Sequence, residues 1–145
     1  MDNVKLIGTV KVGGRPAPNP QDQKYWEYWI SPEGRLFKSR SDIGELQEIK
    51  PTLTSTNKYK GKSYGGYYAV STNSLPEKYI HRMVATHFVD NDDPVVKTCV
   101  DHIDGNKHNN HFTNLEWVTR SENHKRMHAR LRAEGVVWTG RRVRL

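Results

Sequence analysis

Val4, Leu6, Val10 and Val12 alternate with polar residues or glycine, a period of two that predicts an opening strand. Gly13-Gly14-Arg15-Pro16-Ala17-Pro18-Asn19-Pro20 then interrupts regular structure as a loop or linker. Tyr25-Trp26-Glu27-Tyr28-Trp29-Ile30 reads as an aromatic-rich strand. Ser31-Pro32-Glu33-Gly34 has its proline and glycine where a type I turn takes them, and Arg35-Leu36-Phe37-Lys38 is the returning strand of a hairpin. Residues 40–64 are polar and carry no clear period; Tyr67-Tyr68-Ala69-Val70 is a further short strand. Beyond it the period lengthens. Ile80, Met83, Val84, His87 and Phe88 share one face at helical spacing, which predicts an amphipathic helix over 77–89. Asn91-Asp92-Asp93-Pro94 ends it. Val95 to Val100 is expected to be a strand running into Asp101-His102. Asp104-Gly105 marks a turn, and Leu115-Glu116-Trp117-Val118 a second strand. Thr119 and Glu122 stand at capping-box spacing, so a helix should begin there and run to about Ala133, with Gly135 as its stop. The pattern is that of an α+β chain without internal repeats. It divides into a β-rich segment with small hairpins over 1–75, a helix-strand-loop-strand-helix unit over 76–134, and a basic tail over 135–145 that carries Arg141, Arg142 and Arg144.

Composition narrows the partners. The 145 residues suffice for one domain or one with a modest appendage. A net charge of +7 favours a polyanion, nucleic acid before a membrane surface or an acidic protein. One cysteine, Cys99, excludes an intrachain disulfide and a Cys-rich zinc finger; its apolar flanks suggest a small buried residue. The first residues lack the apolar core of a signal peptide and no run reaches membrane-spanning length, so a cytoplasmic setting without membrane attachment is expected.

The chemistry-bearing residues crowd between Cys99 and His128, CVDHIDGNKHNNHFTNLEWVTRSENHKRMH. Cleaving a phosphodiester requires a base for water and a means of stabilising charge on the phosphate and the departing oxygen. A histidine, with its ordinary pKa near 6.5, suits the first, and a hard divalent cation on oxygen ligands suits the second. His102 is the candidate base and Asp101 the candidate ligand. Neighbours on an extended strand point to opposite faces, so the pair must sit at a bend or strand end. Asn123, one turn into the second helix, offers an amide oxygen as the second ligand. Asn114, at the start of the second strand, is placed to accept the far imidazole proton and fix the tautomer of His102.

These residues resemble the HNH endonuclease family with its ββα-metal fold, in particular its phage and intron homing-endonuclease branch. The resemblance is carried by Val100-Asp101-His102-Ile103-Asp104-Gly105-Asn106-Lys107, Asn109-Asn110, Asn114-Leu115-Glu116-Trp117-Val118-Thr119 and Glu122-Asn123. Upstream, His81-Arg82-Met83-Val84-Ala85 with His87-Phe88 resembles the helix that precedes the motif in this branch, and Ile30-Ser31-Pro32-Glu33-Gly34-Arg35-Leu36 resembles a short amino-terminal module joined to it. The resemblance implies a metal-dependent DNA endonuclease that leaves 5′-phosphate and 3′-hydroxyl ends. His102 would be the general base, Asn114 the central asparagine, and Asp101 with Asn123 the metal pair. It implies one Mg2+ or Mn2+ ion and no structural zinc. The 1–75 segment would position double-stranded DNA for a nuclease domain over 76–134, in a phage- or bacterium-like context, with a homodimer if both strands are cut.

Simpler roles compete at most other positions. Trp117 and Leu115 suit a core, and Thr119 and Glu122 a helix cap. His87 suits packing; His81 suits structural support or a phosphate contact. His108, His111, His124 and His128 suit DNA-backbone contact or solvent rather than a metal. Arg40, Lys58, Lys60 and Lys62 suit a solvated loop before a phosphate contact. Arg35, Lys107, Arg120, Lys125, Arg126, Arg130, Arg141 and Arg142 are expected at DNA phosphates. The rival functions are a DNA-binding regulator that has kept the fold and lost cleavage, and a nuclease of RNA or structured nucleic acid.

Overall fold

A computed structural model describes the backbone of residues 3–54, 56–59, 62–71, 75–133, 135, 137–138 and 143–144, and the side chains of these except 56–59, 62–65, 137–138 and 143–144. Lys58, Lys60, Lys62, Arg141, Arg142 and Arg144 therefore lie outside the described side chains.

Among the described residues the fold is mixed α/β, with two α-helices and small antiparallel sheets. The alternation at the amino terminus produces β1 (Lys5–Lys11), the aromatic run β2 (Tyr25–Ile30), and the returning run β3 (Leu36–Arg40). With β4 (Gln47–Ile49) they form one sheet in the order β1-β2-β3-β4. Ile30 pairs with Leu36 across the hairpin, and Tyr28, Ile30 and Leu36 turn inward to the core. Besides β4, three short pieces occupy the polar stretch that gave no period: β5 (Thr52–Leu53), which pairs with β8 (Tyr68–Ala69), and the β6 (Thr56–Tyr59) and β7 (Lys62–Gly65) hairpin.

The first helix, α1 (Ile80–Phe88), starts three residues later than its apolar period suggests. Lys78 and Tyr79 are extended: the Lys78 carbonyl accepts from the Val70 amide, and Tyr79 bridges Ala69. Ile80 and Val84 are fully buried, with Met83 and Ala85 beside them. Burying a side chain of this size contributes about 1.5–3 kcal/mol, so packing rather than propensity places this short helix. Trp117 anchors its far end by donating from Nε1 to the carbonyl of Ala85, which also accepts from the Val89 amide, and to that of Val89.

The next strand, β9 (Cys99–His102), begins at Cys99 rather than Val95. The Asp93 carbonyl accepts from the amides of Val96 and Lys97, a tight turn that leaves Val95 86% exposed. Cys99 is half-buried, not fully enclosed. β10 (Leu115–Val118) runs antiparallel to β9, with Leu115 opposite His102 and Glu116 opposite Asp101. Then comes α2 (Arg120–Ala133). Its capping box is formed as the spacing predicts: the Glu122 amide donates to Thr119 Oγ1, and the Thr119 amide to Glu122 Oε1. Gly135 follows with φ +78°. β11 (Val137–Trp138) and β12 (Val143–Arg144) pair beyond it.

One apolar cluster ties these elements together. Tyr28, Ile30 and Leu36 of the amino-terminal sheet pack with Ile80, Met83 and Val84 of α1 and with Val100 and Leu115 of the β9–β10 pair. The 31–34 turn is drawn into that packing: the Phe112 amide donates to the Pro32 carbonyl at 2.8 Å. No helix among the described residues is long and apolar enough to cross a membrane.

Candidate active site

β9 ends at His102, and the chain then turns, with the Gly105 amide donating to the His102 carbonyl. Asp101 and His102 thus occupy the strand end their chemistry requires. Both are almost fully buried, at 4% and 3% exposure. The loop that returns to β10 is built by asparagines and one aspartate as short side-chain-to-backbone turns. Asp104 accepts from the Asn106 amide, Asn106 from that of His108, and Asn109 from that of His111. Much of the asparagine cluster is therefore loop architecture.

One asparagine holds the His102 ring in place. His102 Nε2 lies 2.7 Å from the Asn110 side-chain oxygen, an acceptor for the Nε2 proton. That bond leaves Nδ1 as the basic nitrogen. Asn110, not Asn114, is the imidazole's partner. Asn114 closes the loop instead: its amide nitrogen donates to Asp104 and to the Asn109 carbonyl, and its oxygen accepts from the Asp104 amide. The signal missed in the sequence was Gly34. Its φ is +91°, and a Cβ there would stand 2.9 Å from that of Asn110, so the amino-terminal turn presses directly on the residue that holds the His102 ring.

Asp101 is held from α2. Arg126 Nη1 lies 2.9 Å from Oδ2, and Arg130 donates to both carboxylate oxygens at 2.9 and 3.2 Å. Arg130 also donates to the His102 carbonyl, and Arg126 to Glu116. Burial pushes the Asp101 carboxyl up, but the Arg130 and Arg126 bonds outweigh it and bring it below the usual carboxylate value. These two arginines, expected at phosphates, are thus committed to the site's own carboxylate. Asn123 is half-buried, three residues before Arg126 and seven before Arg130, on the face of α2 that reaches β9.

The remaining basic residues divide. Lys107 is half-buried over the Tyr67 ring, 5.0 Å from its centroid, and its pKa is lowered chiefly by burial. Arg120 and Lys125 are exposed on α2. Arg35 pairs with Glu48, and Arg141 and Arg142 lie outside the described residues. His124 and His128 meet edge to face on α2, ring centroids 4.7 Å apart. His108 tilts against Tyr68, and His111 Nδ1 accepts from the Thr113 amide. His87 is half-buried rather than part of the core.

Behind His102 lies a cluster of rings. Tyr67 and His81 are 4.7 Å apart, and His81 and His102 5.2 Å. Burial there is the main cause that lowers the His102 pKa; the Asn110 bond and the charges of Asp101 and Asp104 oppose it. His81 is pushed down to about 3, again mainly by burial. Both folded-state values lie below 6.5, so the unfolded chain binds more protons in between. The associated stability is complete above pH 6.5 and is lost as pH falls through that value, for His81 as far as about 3. Thermal melts should therefore show a falling melting temperature from about pH 7 to pH 5, worth on the order of 1–3 kcal/mol. A melting temperature flat across that range would mean these rings are not dry.

No group of three or more His, Cys, Asp or Glu side chains among the described residues is arranged to hold a metal. The oxygen donors at hand are the Asp101 carboxylate and, one helix away, the Asn123 amide. Such oxygen donors are of the kind that hard divalent cations take.

Residues 78–125 match the family model described as HNH endonuclease. Among curated proteins, an uncharacterized HNH endonuclease (L247) of Acanthamoeba polyphaga mimivirus is 39% identical over 57% of this chain and 21% of its own length. A second from the same virus (L245) is 34% identical over 82% of this chain and 31% of its own. The DNA endonuclease I-HmuI of Bacillus phage SP01 is 35% identical over 57% of this chain and 47% of its own. The chain spans about half or less of the length of the curated relatives it matches. No solved structure matches it. The strand end that carries Asp101 and His102, the asparagine loop, β10 and the start of α2 all fall inside the segment that is similar to the HNH endonuclease family.

Proposed function

We propose that this chain hydrolyses phosphodiester bonds of double-stranded DNA in a metal-dependent reaction, with β9, β10 and α2 as a ββα-metal unit. The observation that carries the reading is the state of His102: buried at a strand end, clamped through Nε2 by Asn110, and left with a free Nδ1 lone pair. That is a base poised to be neutral near physiological pH. Nδ1 takes a proton from water, the water oxygen attacks phosphorus in line, the bond from phosphorus to the 3′ oxygen breaks, and that oxygen takes a proton from solvent, which leaves 5′-phosphate and 3′-hydroxyl ends.

Asp101 and Asn123 would hold one Mg2+ or Mn2+ ion, which when bound supplies charge neutralisation on the phosphate and the departing oxygen. Asn114 keeps the loop closed so that His102 and Asp101 stay in register. Lys107, Arg120 and Lys125, with Arg35 on the amino-terminal sheet and Arg141 and Arg142 in the tail, would meet DNA phosphates. The resemblance to a DNA endonuclease of a Bacillus phage and to a prophage-derived protein named as a putative HNH homing endonuclease supports a mobile-element role in an intracellular setting. One such site cuts one strand at a time, so a double-strand break would need a homodimer or a second encounter.

One observation favours a second reading. Both Asp101 oxygens are engaged by arginines, which would also suit a DNA-binding regulator without cleavage. Supercoiled plasmid separates the two. With Mg2+ or Mn2+ it should be converted to nicked or linear DNA, and EDTA should stop conversion completely. DNA retention without conversion under either ion would establish the regulator instead. Single strands and RNA at equal salt test the substrate class.

A further inference from the structure

His81, in the first turn of α1, has no part in the reading above, although it touches the proposed base. It is 7% exposed, with its ring 5.2 Å from that of His102, 4.7 Å from Tyr67 and 5.7 Å from Tyr79. Its Nδ1 is buried and has no hydrogen-bond partner among the described residues. Packing does not explain an imidazole here. Phenylalanine would fill the same space against Tyr67 and His102 with no polar atom to desolvate, and an unmet polar atom in an interior costs about 1–3 kcal/mol. Something other than ring area accounts for the nitrogens.

The burial of Nδ1 also selects the tautomer. A buried acceptor without a partner is tolerated better than a buried N–H without one, so the proton belongs on Nε2. The ring is then a neutral donor beside the base. Burial and the neighbouring charges of Arg82 and Lys107 keep it neutral at working pH. A cation in that position would weaken His102 as a base; a neutral N–H does not.

We propose that His81 is a second functional imidazole of the site, a neutral Nε2–H donor that hydrogen-bonds a phosphodiester oxygen of the strand presented to His102. The proposal rests on the nuclease reading and names the group that fixes the phosphate against the base. A donor preorganised in a dry site aligns the substrate without a second positive charge.

Single-turnover cleavage of duplex plasmid by the full chain tests it, with His81→Phe, which keeps the ring, and His81→Gln, which restores a donor near Nε2. His81→Phe should cut about 10- to 100-fold more slowly than wild type, with an unchanged or higher melting temperature and an unmoved acid limb of the pH–rate profile. His81→Gln should recover most of that loss. The wild-type chain supplies a check that does not depend on folding of a variant: its His81 Nε2 resonance should shift when a short duplex is added with Ca2+ in place of Mg2+. Wild-type cutting by His81→Phe, equal slowing in Phe and Gln, or an unmoved resonance would each overturn the proposal and leave the nuclease reading standing. An inert wild-type chain would instead remove that reading, and this one with it.

Discussion

His102→Ala should cut duplex DNA at least about 1000-fold more slowly than the wild-type chain while retaining DNA nearly as well. The expectation combines two effects. Loss of a positioned general base lowers a rate by roughly 100- to 10,000-fold. The ring also forms one wall of the Tyr67–His81 cluster, so its removal admits water where the phosphate must be held. On the proposed reading, DNA retention would depend on cations elsewhere, such as the exposed Arg120 and Lys125, and should change little. Nicking rates read against gel retention at the same salt check both halves. Full-rate cutting by His102→Ala would mean that another group activates the water. Loss of retention together with cutting would mean that the substitution has unfolded the loop between β9 and β10. His102→Asn separates that case, because it leaves a polar group beside Asn110 and still lacks a usable base.

The parts of the molecule legible in the sequence are those set by neighbours close along the chain. The capping box of Thr119 and Glu122 specifies the start of α2 from four residues. The Ser31–Gly34 turn specifies the first hairpin, and Asp101-His102 just ahead of Asp104-Gly105 specifies a strand that stops. Positions decided across the fold were not legible. Val95 and Val96 look like strand residues, yet the turn at Asp93 strands them in solvent. Asn110 and Asn114 are alike in type and both stand in the loop after His102. Which one reaches the imidazole is decided by the turn at Gly34, which packs on Asn110 from the other end of the core. Arg126 and Arg130 could be placed on one face of α2 by their spacing of four, but nothing in that spacing shows whether the face meets a carboxylate of β9 or a phosphate. β5, β6 and β7 are two to four residues long, too short for alternation to stand out from a polar background.

Asp101→Asn should lower metal-dependent cleavage by about 100-fold or more, and should weaken Mn2+ binding measured by calorimetry on the full chain. The substitution keeps the shape of the side chain and one acceptor oxygen, so its effect on folding is expected to be modest, about 1–2 kcal/mol. Arg126 retains Glu116, and Arg130 retains the His102 carbonyl, so neither guanidinium is left bare. The charge, however, is gone, and a hard cation held by an amide pair alone is held weakly. The arginines make a second, opposite expectation. Each competes with a cation for the oxygens of Asp101, so Arg130→Ala should tighten Mn2+ binding even as it loosens the strand end at His102. Tightening in one variant and weakening in the other cannot both arise from general destabilisation, since partial unfolding would weaken binding in each. If Asp101→Asn binds Mn2+ and cuts as the wild type does, the carboxylate serves only to anchor α2 against β9, and the cation must be sought at other oxygens of the chain.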